Sequence, residues 1–200
     1  VPPGWGSVVS GLQAVRIVGG IVPPSLLPRA QAGEVEAASI TPASYRLAGN
    51  ETIRDAAARA WTYLRGAWAA WHDVENPGAG ATRDRWLLPL MRELGYGNVP
   101  ALSSGLTFDG TSYPISHQWE HVPIHLLGPT ISLDRRNPGV AGAARAPQAM
   151  LQEYLNREDA NLWAILSNGS KLRLLRDSTA LAGSAYLEFD LDAIFDGDLY

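Results

Sequence analysis

Apolar residues recur with helical spacing from Asn50 onward: Ala57, Trp61, Leu64, Trp68 and Trp71 follow one another at intervals of four, three, four and three. That period makes one stripe of an amphipathic helix. Asn50 or Thr52 can cap its start, Glu51 and Asp55 suit the positive end of its dipole, and Asn76-Pro77-Gly78 stops it. Three tryptophans on one stripe read as core, because a helical period of large aromatics is a packing signal before it is a base- or sugar-stacking one. A second helix is predicted from Thr82 or Asp84 to Leu94, with Trp86, Leu87, Leu90, Met91 and Leu94 apolar. Gly95 can take the left-handed cap, and Pro89 should bend this helix or delay its first full turn. Ahead of both, residues 1–48 are rich in Gly, Pro and Val and read as a loop-rich entry with a short helix around Ser25 to Gln31.

The period changes after residue 105. Thr107, Tyr113, Ile115, Trp119, Val122, Ile124, Leu126 and Ile131 are broken by Gly110, Pro114, Pro123 and Gly128-Pro129, the pattern of strands separated by turns. Arg135 to Ala146 reads as an exposed Gly- and Ala-rich loop, and Pro147 suits the first position of a helix running through Met150, Leu151, Tyr154 and Leu155. Asn168-Gly169, between the apolar runs Leu162–Leu166 and Leu172–Leu175, predicts a two-residue type I′ hairpin. From Tyr186 to Asp192 the alternation of Leu187, Phe189 and Leu191 with Glu188, Asp190 and Asp192 predicts a half-solvated strand. Helices first and strands with an inserted helix afterwards predict an α+β fold, with a small mixed sheet flanked by helices. The expected division is a loop-rich and helical extension over 1–80 and an α+β domain over 81–200, packed as one unit.

Composition narrows the chemistry. The 200 residues are 46% hydrophobic and 18% charged, values of neither a disordered tail nor a membrane protein. There is no apolar run of the roughly 18 residues that a spanning helix needs. The opening Val1-Pro2-Pro3-Gly4-Trp5 has no signal-peptide pattern, so the expected compartment is the cytoplasm. Zero cysteines exclude disulfides, thiolate metal sites and cysteine nucleophiles. A net charge of -4 argues against a nucleic-acid binder over its whole surface and leaves room for a local basic face. Lys171 is the only lysine.

Few residues are spaced for a site. His117, Glu120, His121 and His125 would share a face on a helix, but Pro114 and Pro123 argue for extended chain, where residues four apart stand about 13 Å from one another, too far to share an ion. No metal site is expected. Gly78-Ala79-Gly80 lacks the pattern of a dinucleotide loop, Ser103-Ser104-Gly105 reads as a turn, and Asp190, Asp192, Asp196 and Asp198 read as a solvated acidic face. The basic residues say more: Lys171 and Arg173 share a face of the hairpin strand, with Arg176 near its end and Arg135-Arg136 in the preceding loop. Guanidinium groups gathered this way suit phosphate contact, against the alternative that they are solvated or paired with neighbouring acids.

A family likeness rests on particular segments. Val122-Pro123-Ile124-His125-Leu126, Leu133-Asp134-Arg135-Arg136, Gln152-Glu153-Tyr154-Leu155-Asn156, Leu162-Trp163-Ala164-Ile165-Leu166-Ser167-Asn168-Gly169 and Leu172-Arg173-Leu174-Leu175-Arg176-Asp177 carry it, with Gly19-Gly20-Ile21-Val22-Pro23 and Arg85-Trp86-Leu87-Leu88-Pro89-Leu90 upstream. Together they resemble the N-terminal region of large bacterial restriction-modification enzymes, the type IIG-like and phage-exclusion adenine-specific DNA methyltransferases. The resemblance implies a domain similar to the PD-(D/E)xK nucleases, with Trp86 to Leu94 as the first core helix, the strands near 107 to 127 as the catalytic hairpin, and Gln152 and Tyr154 on the following helix. That chemistry needs two carboxylates to hold Mg²⁺ and a lysine to assist the attacking water. Asp109 and Glu120 are the weak catalytic candidates, and in Glu120-His121-Val122 the lysine position holds Val122. The expectation is therefore a degenerate nuclease-like module without cleavage activity and without a cofactor of its own. It would contact DNA weakly through Arg135, Arg136, Lys171, Arg173 and Arg176 and pack against the methyltransferase part. No Asn-Pro-Pro-aromatic tetrad is present, so methyl transfer with S-adenosylmethionine, and any Mg²⁺ chemistry of the parent enzyme, would lie beyond Tyr200. A divergent Mg²⁺ endonuclease and a purely structural interaction domain are the alternatives.

Overall fold

The computed structural model describes residues 14–32, 34–35, 41–177 and 184–197. Helix α1 covers Leu26–Gln31 and helix α2 covers Ile53–His72. Thr52 is the cap of α2: its hydroxyl accepts from the Asp55 N–H at 3.1 Å while the Asp55 carboxylate accepts from the Thr52 N–H at 3.0 Å, so two otherwise unpaired donors are satisfied reciprocally. Leu64, Trp68 and Trp71 of the expected stripe are buried. The helix ends at His72, ahead of Asn76.

The second helical run begins with α3, Ala79–Thr82, widens into a π-helical turn over Arg83–Leu87, regains α geometry in α4, Leu88–Met91, and widens again over Arg92–Tyr96. Proline has no N–H to donate to the preceding turn, and the irregularity expected at Pro89 takes the form of the wide turn ahead of it. Gly95 adopts φ 93° and ends the run, the left-handed cap that its missing Cβ makes inexpensive.

Strands follow: β1 is Val15–Val18, β2 Leu106–Phe108, β3 Thr111–Tyr113, β4 His117–Trp119, β5 Val122–Leu126, β6 Trp163–Ser167, β7 Lys171–Arg176 and β8 Tyr186–Asp190. Helix α5 is Pro147–Arg157, with Pro147 in its first turn as expected, and α6 is Leu191–Asp196. Six strands form a mixed sheet in the order β1-β8-β7-β6-β5-β4. All its neighbours are antiparallel except β5 and β6, which are parallel and joined through α5, the crossover that parallel neighbours require. The mixed sheet with flanking helices is thus the observed architecture.

Four local expectations are corrected. The stretch read as a loop-rich entry contains β1, which pairs with β8 and forms one edge of the sheet. Residues 106–113 form a separate two-stranded hairpin, turning at Asp109-Gly110, where both φ values are positive. The hairpin near Asn168 is present, but Ser167 pairs with Leu172 and the Asn168 N–H donates to the Lys171 carbonyl, so Gly169 and Ser170 are its central residues. Asn168 instead stands at the first position and accepts the Lys171 N–H on its side chain at 3.0 Å, and only Gly169 needs the left-handed region. The last strand ends at Asp190, which caps α6 by accepting the Ala193 N–H. In that strand Tyr186 and Glu188 are buried while Leu187 and Phe189 are half-buried, the reverse of the predicted polarity.

The sheet separates two cores. On one face, Trp68, Trp71 and Trp86 of the helical layer meet Ile124, Leu126, Ile165 and Leu172. Trp86 and Phe195 both lie 4.9 to 5.2 Å from the Trp68 ring, and such offset and edge contacts add to plain area burial. On the other face, Met150, Leu151, Tyr154 and Leu155 of α5 cover Ala164, Leu166, Leu175 and Tyr186. The first core draws on residues from both sides of position 80, since α2 packs against the helical run that follows it. Among the described residues no helix is long and apolar enough to cross a membrane.

Candidate functional site

Arg173 is the centre of the densest polar arrangement. It stands on β7 opposite Glu188 of β8, a register fixed by strand pairing. Its Nε donates to Glu188 at 2.6 Å, its two terminal nitrogens grip both Asp134 oxygens at 2.6 and 2.8 Å, and one of them also donates to Gln148 Oε1 at 3.1 Å. The guanidinium lies 4.5 Å from the Tyr186 ring. The side chain is only 3% exposed. Burial alone would lower its pKa, but the Asp134 and Glu188 carboxylates outweigh that and raise it. Arg173 in turn holds the Asp134 carboxyl below the usual carboxylate range. Lys171, on the same face, reaches Asp190 at 3.4 Å and Glu188 at 3.7 Å.

These facts correct the expected five-residue basic patch. Lys171 and Arg173 do share a face, but Arg173 is enclosed and neutralised by two carboxylates, leaving no surface for a phosphate. Arg176 is exposed and three residues further along β7, on the opposite face, with its guanidinium 5.6 Å from the Trp163 ring. Arg135 and Arg136 are exposed in the loop that Asp134 anchors, and neither forms an ion pair among the described residues.

Asp109 and Glu120 occupy separate turns. Asp109 lies at the tip of the β2–β3 hairpin, 79% exposed, with Arg157 of α5 3.4 Å away. Glu120 begins the two-residue turn between β4 and β5, with φ 49°. That turn also revises the straight extended reading of the histidines, because it folds His117 back beside Ile124. His117 and His125 therefore meet at one residue: the Ser116 hydroxyl lies 2.8 Å from His117 Nδ1, and the Ser116 N–H donates to His125 Nδ1 at 3.2 Å. With Nδ1 of His125 accepting, Nε2 carries the proton and donates to the Gly142 carbonyl at 2.9 Å. Burial pushes the His125 pKa down to about 4. Among the described residues no three His, Asp or Glu side chains are grouped to hold a metal.

The expected acidic face is dispersed too. Asp190 caps α6 and Asp196 accepts the Trp68 indole N–H at 2.8 Å, while burial raises the Asp192 pKa; Asp198 lies outside the described residues. Ser103, Ser104 and Gly105 stand at a cleft of about 530 Å³ that Ser116, His125, Ile131 and Gly142 also line. A second, apolar groove of about 340 Å³ runs between Leu94, Tyr96, Leu174 and Phe189. Sequence reading missed Asp134, Gln148 and Glu188 as partners of Arg173. For Glu188 the signal was present but inverted, since a carboxylate between Leu187 and Phe189 has the period of a solvated position. Comparison with protein-family models, with curated proteins and with solved structures finds no match to this chain.

Proposed function

We propose that the chain is a noncatalytic, degenerate nuclease-like module of a cytoplasmic restriction-modification or phage-defence adenine-specific DNA methyltransferase, serving domain organisation and weak DNA engagement. The observation that carries the reading is the placement of its only lysine. Cleavage of the PD-(D/E)xK type uses a lysine or equivalent beside two metal-holding carboxylates. Lys171 stands on β7, between Asp190 and Glu188, whereas Val122 opens the strand that follows Glu120. The hairpin, crossover helix and parallel strand formed by β4, β5, α5 and β6 support a nuclease-like scaffold. Methyl transfer, with its S-adenosylmethionine, belongs to another part of the parent protein in this reading.

DNA contact then falls to Arg135 and Arg136, with Arg176 apart from them. A small basic element on a chain of net charge -4 binds through counterion release, with affinity near the nonspecific range of about 10⁻⁴ to 10⁻⁶ M and a steep loss with salt. The enclosure of Arg173 favours a second reading, a purely structural interaction domain. Incubation of the chain with duplex DNA and Mg²⁺ or Mn²⁺ is expected to leave the DNA intact, and titration at low salt to show weak, sequence-independent binding that Arg135→Ala/Arg136→Ala reduces. Metal-dependent cleavage abolished by Asp109→Ala would establish the endonuclease alternative instead. Absence of binding at low salt would leave the structural reading.

A further inference from the structure

The loop between β5 and α5 is held at closely spaced points. Leu133 and Ala143 are buried. The Asn168 side chain donates to the Ile131 carbonyl at 2.9 Å, and the Gln148 N–H donates to the Leu133 carbonyl at 2.9 Å. Asn137 folds the centre of the loop: its side-chain amide donates to the Ser132 and Arg135 carbonyls at 2.9 and 2.8 Å, and its oxygen accepts the Ser132 N–H at 3.1 Å. Asp134 is then gripped through both oxygens by Arg173, which Glu188 and Gln148 immobilise from behind. The two residues that follow Asp134 are the exposed Arg135 and Arg136.

An aspartate next to two arginines would by its field alone oppose a polyanion. Here that carboxylate is bound to a buried cation, and a bidentate guanidinium–carboxylate pair fixes direction as well as distance. We infer that Asp134 is a positioning residue, locked by Arg173 so that Arg135 and Arg136 are presented together, in one geometry, to the phosphates of a DNA backbone. The inference rests on the DNA-engaging reading above. Pre-ordering removes the loop entropy that binding would otherwise cost.

The field effect and the positioning effect have opposite signs for Asp134→Asn. Removing a negative charge beside two cations strengthens polyanion binding if only the field matters. Loss of the clamp weakens it. Fluorescence anisotropy of a short fluorescein-labelled duplex at low salt is expected to show binding by the Asp134→Asn chain about fivefold weaker than wild type. Asn137→Ala, which changes no charge, should weaken binding in the same direction. In an Arg135→Ala/Arg136→Ala background Asp134→Asn should have no further effect, a result that a general loss of structure would not give. Unchanged or tighter binding by Asp134→Asn, while the double arginine variant is weakened, overturns the positioning role and leaves the DNA reading standing. Wild-type binding by the double arginine variant overturns both. If thermal melting shows that Asp134→Asn does not fold, Asn137→Ala decides by the same criteria.

Discussion

At the scale of single residues, His125 is a strand histidine withdrawn from ordinary titration. Its ring is buried with both nitrogens engaged, and its pKa is pushed down to about 4 by burial, partly offset by the Gly142 carbonyl. In the unfolded chain a histidine titrates near 6.5. Between about 6.5 and 4 the unfolded state therefore takes up a proton that the folded state refuses, and stability falls as pH drops through that window and levels off below it. The full span is on the order of 3 kcal/mol. His117, lowered chiefly by burial, adds to the same slope. Asp134 acts in a separate window: its depressed carboxyl contributes stability above about pH 3.9 that is lost under more acid conditions. Urea denaturation followed across this range should show the slope, and His125→Gln should flatten it while lowering stability at neutral pH. An unaltered slope in that variant would assign the loss elsewhere.

At the scale of elements, the turn between β6 and β7 is a docking point as well as a reversal. Gly169, at φ 94°, offers its carbonyl to the Trp86 indole N–H at 2.8 Å. A Cβ there would stand 2.7 Å from Thr82 Cγ2 and 3.0 Å from the Trp71 ring. Gly169→Ala is thus expected to cost about 2–3 kcal/mol in chemical denaturation, with a change in tryptophan fluorescence, because strain and crowding coincide. A loss of less than about 0.5 kcal/mol would contradict the close packing of this turn.

The elements most legible in sequence were those whose signal is local. The stripe from Ala57 to Trp71, Pro147 at a helix start and Gly95 at a helix end each act through neighbours within a turn or two. The hairpin near Asn168 was legible as an element but one residue out in register, because the Asn168 side chain takes the Lys171 N–H. What stayed hidden depends on distant partners. Glu188 was assigned to solvent because its alternation with Leu187 and Phe189 has the same period whichever face is covered. Arg173 looked like a surface cation until Asp134, 39 positions earlier, came to meet it. β1 was invisible since four residues among glycines and prolines become a strand only when β8 is there to pair with them.

At the scale of the molecule, the Arg173 network ties β7, β8, α5 and the preceding loop together on one face of the sheet. Breaking a buried ion pair from one side leaves an uncompensated charge, so Arg173→Met is expected to destabilise the chain by about 3–5 kcal/mol. Replacing Glu188 by Met as well removes the stranded carboxylate, and the double variant should lose less than the sum of the two single changes. Thermal or urea unfolding of the four proteins measures this coupling, and strict additivity would show that the two residues do not act as one unit.

The pairing of β1 with β8 joins residues about 170 positions apart, while the β6–β7 hairpin closes through a turn centred on two residues. Loop closure over the longer distance costs more entropy, and β1 offers only four residues to offset it. On this entropy argument β1 is expected to dock last, as a latch on a sheet that the inner strands have already assembled. Until the latch is in place β8 is an open edge, a row of unpaired N–H and C=O groups able to accept a strand from any neighbouring chain. With β1 in place the open edge is its own four residues instead of the five of β8, a shorter template for a strand from another molecule.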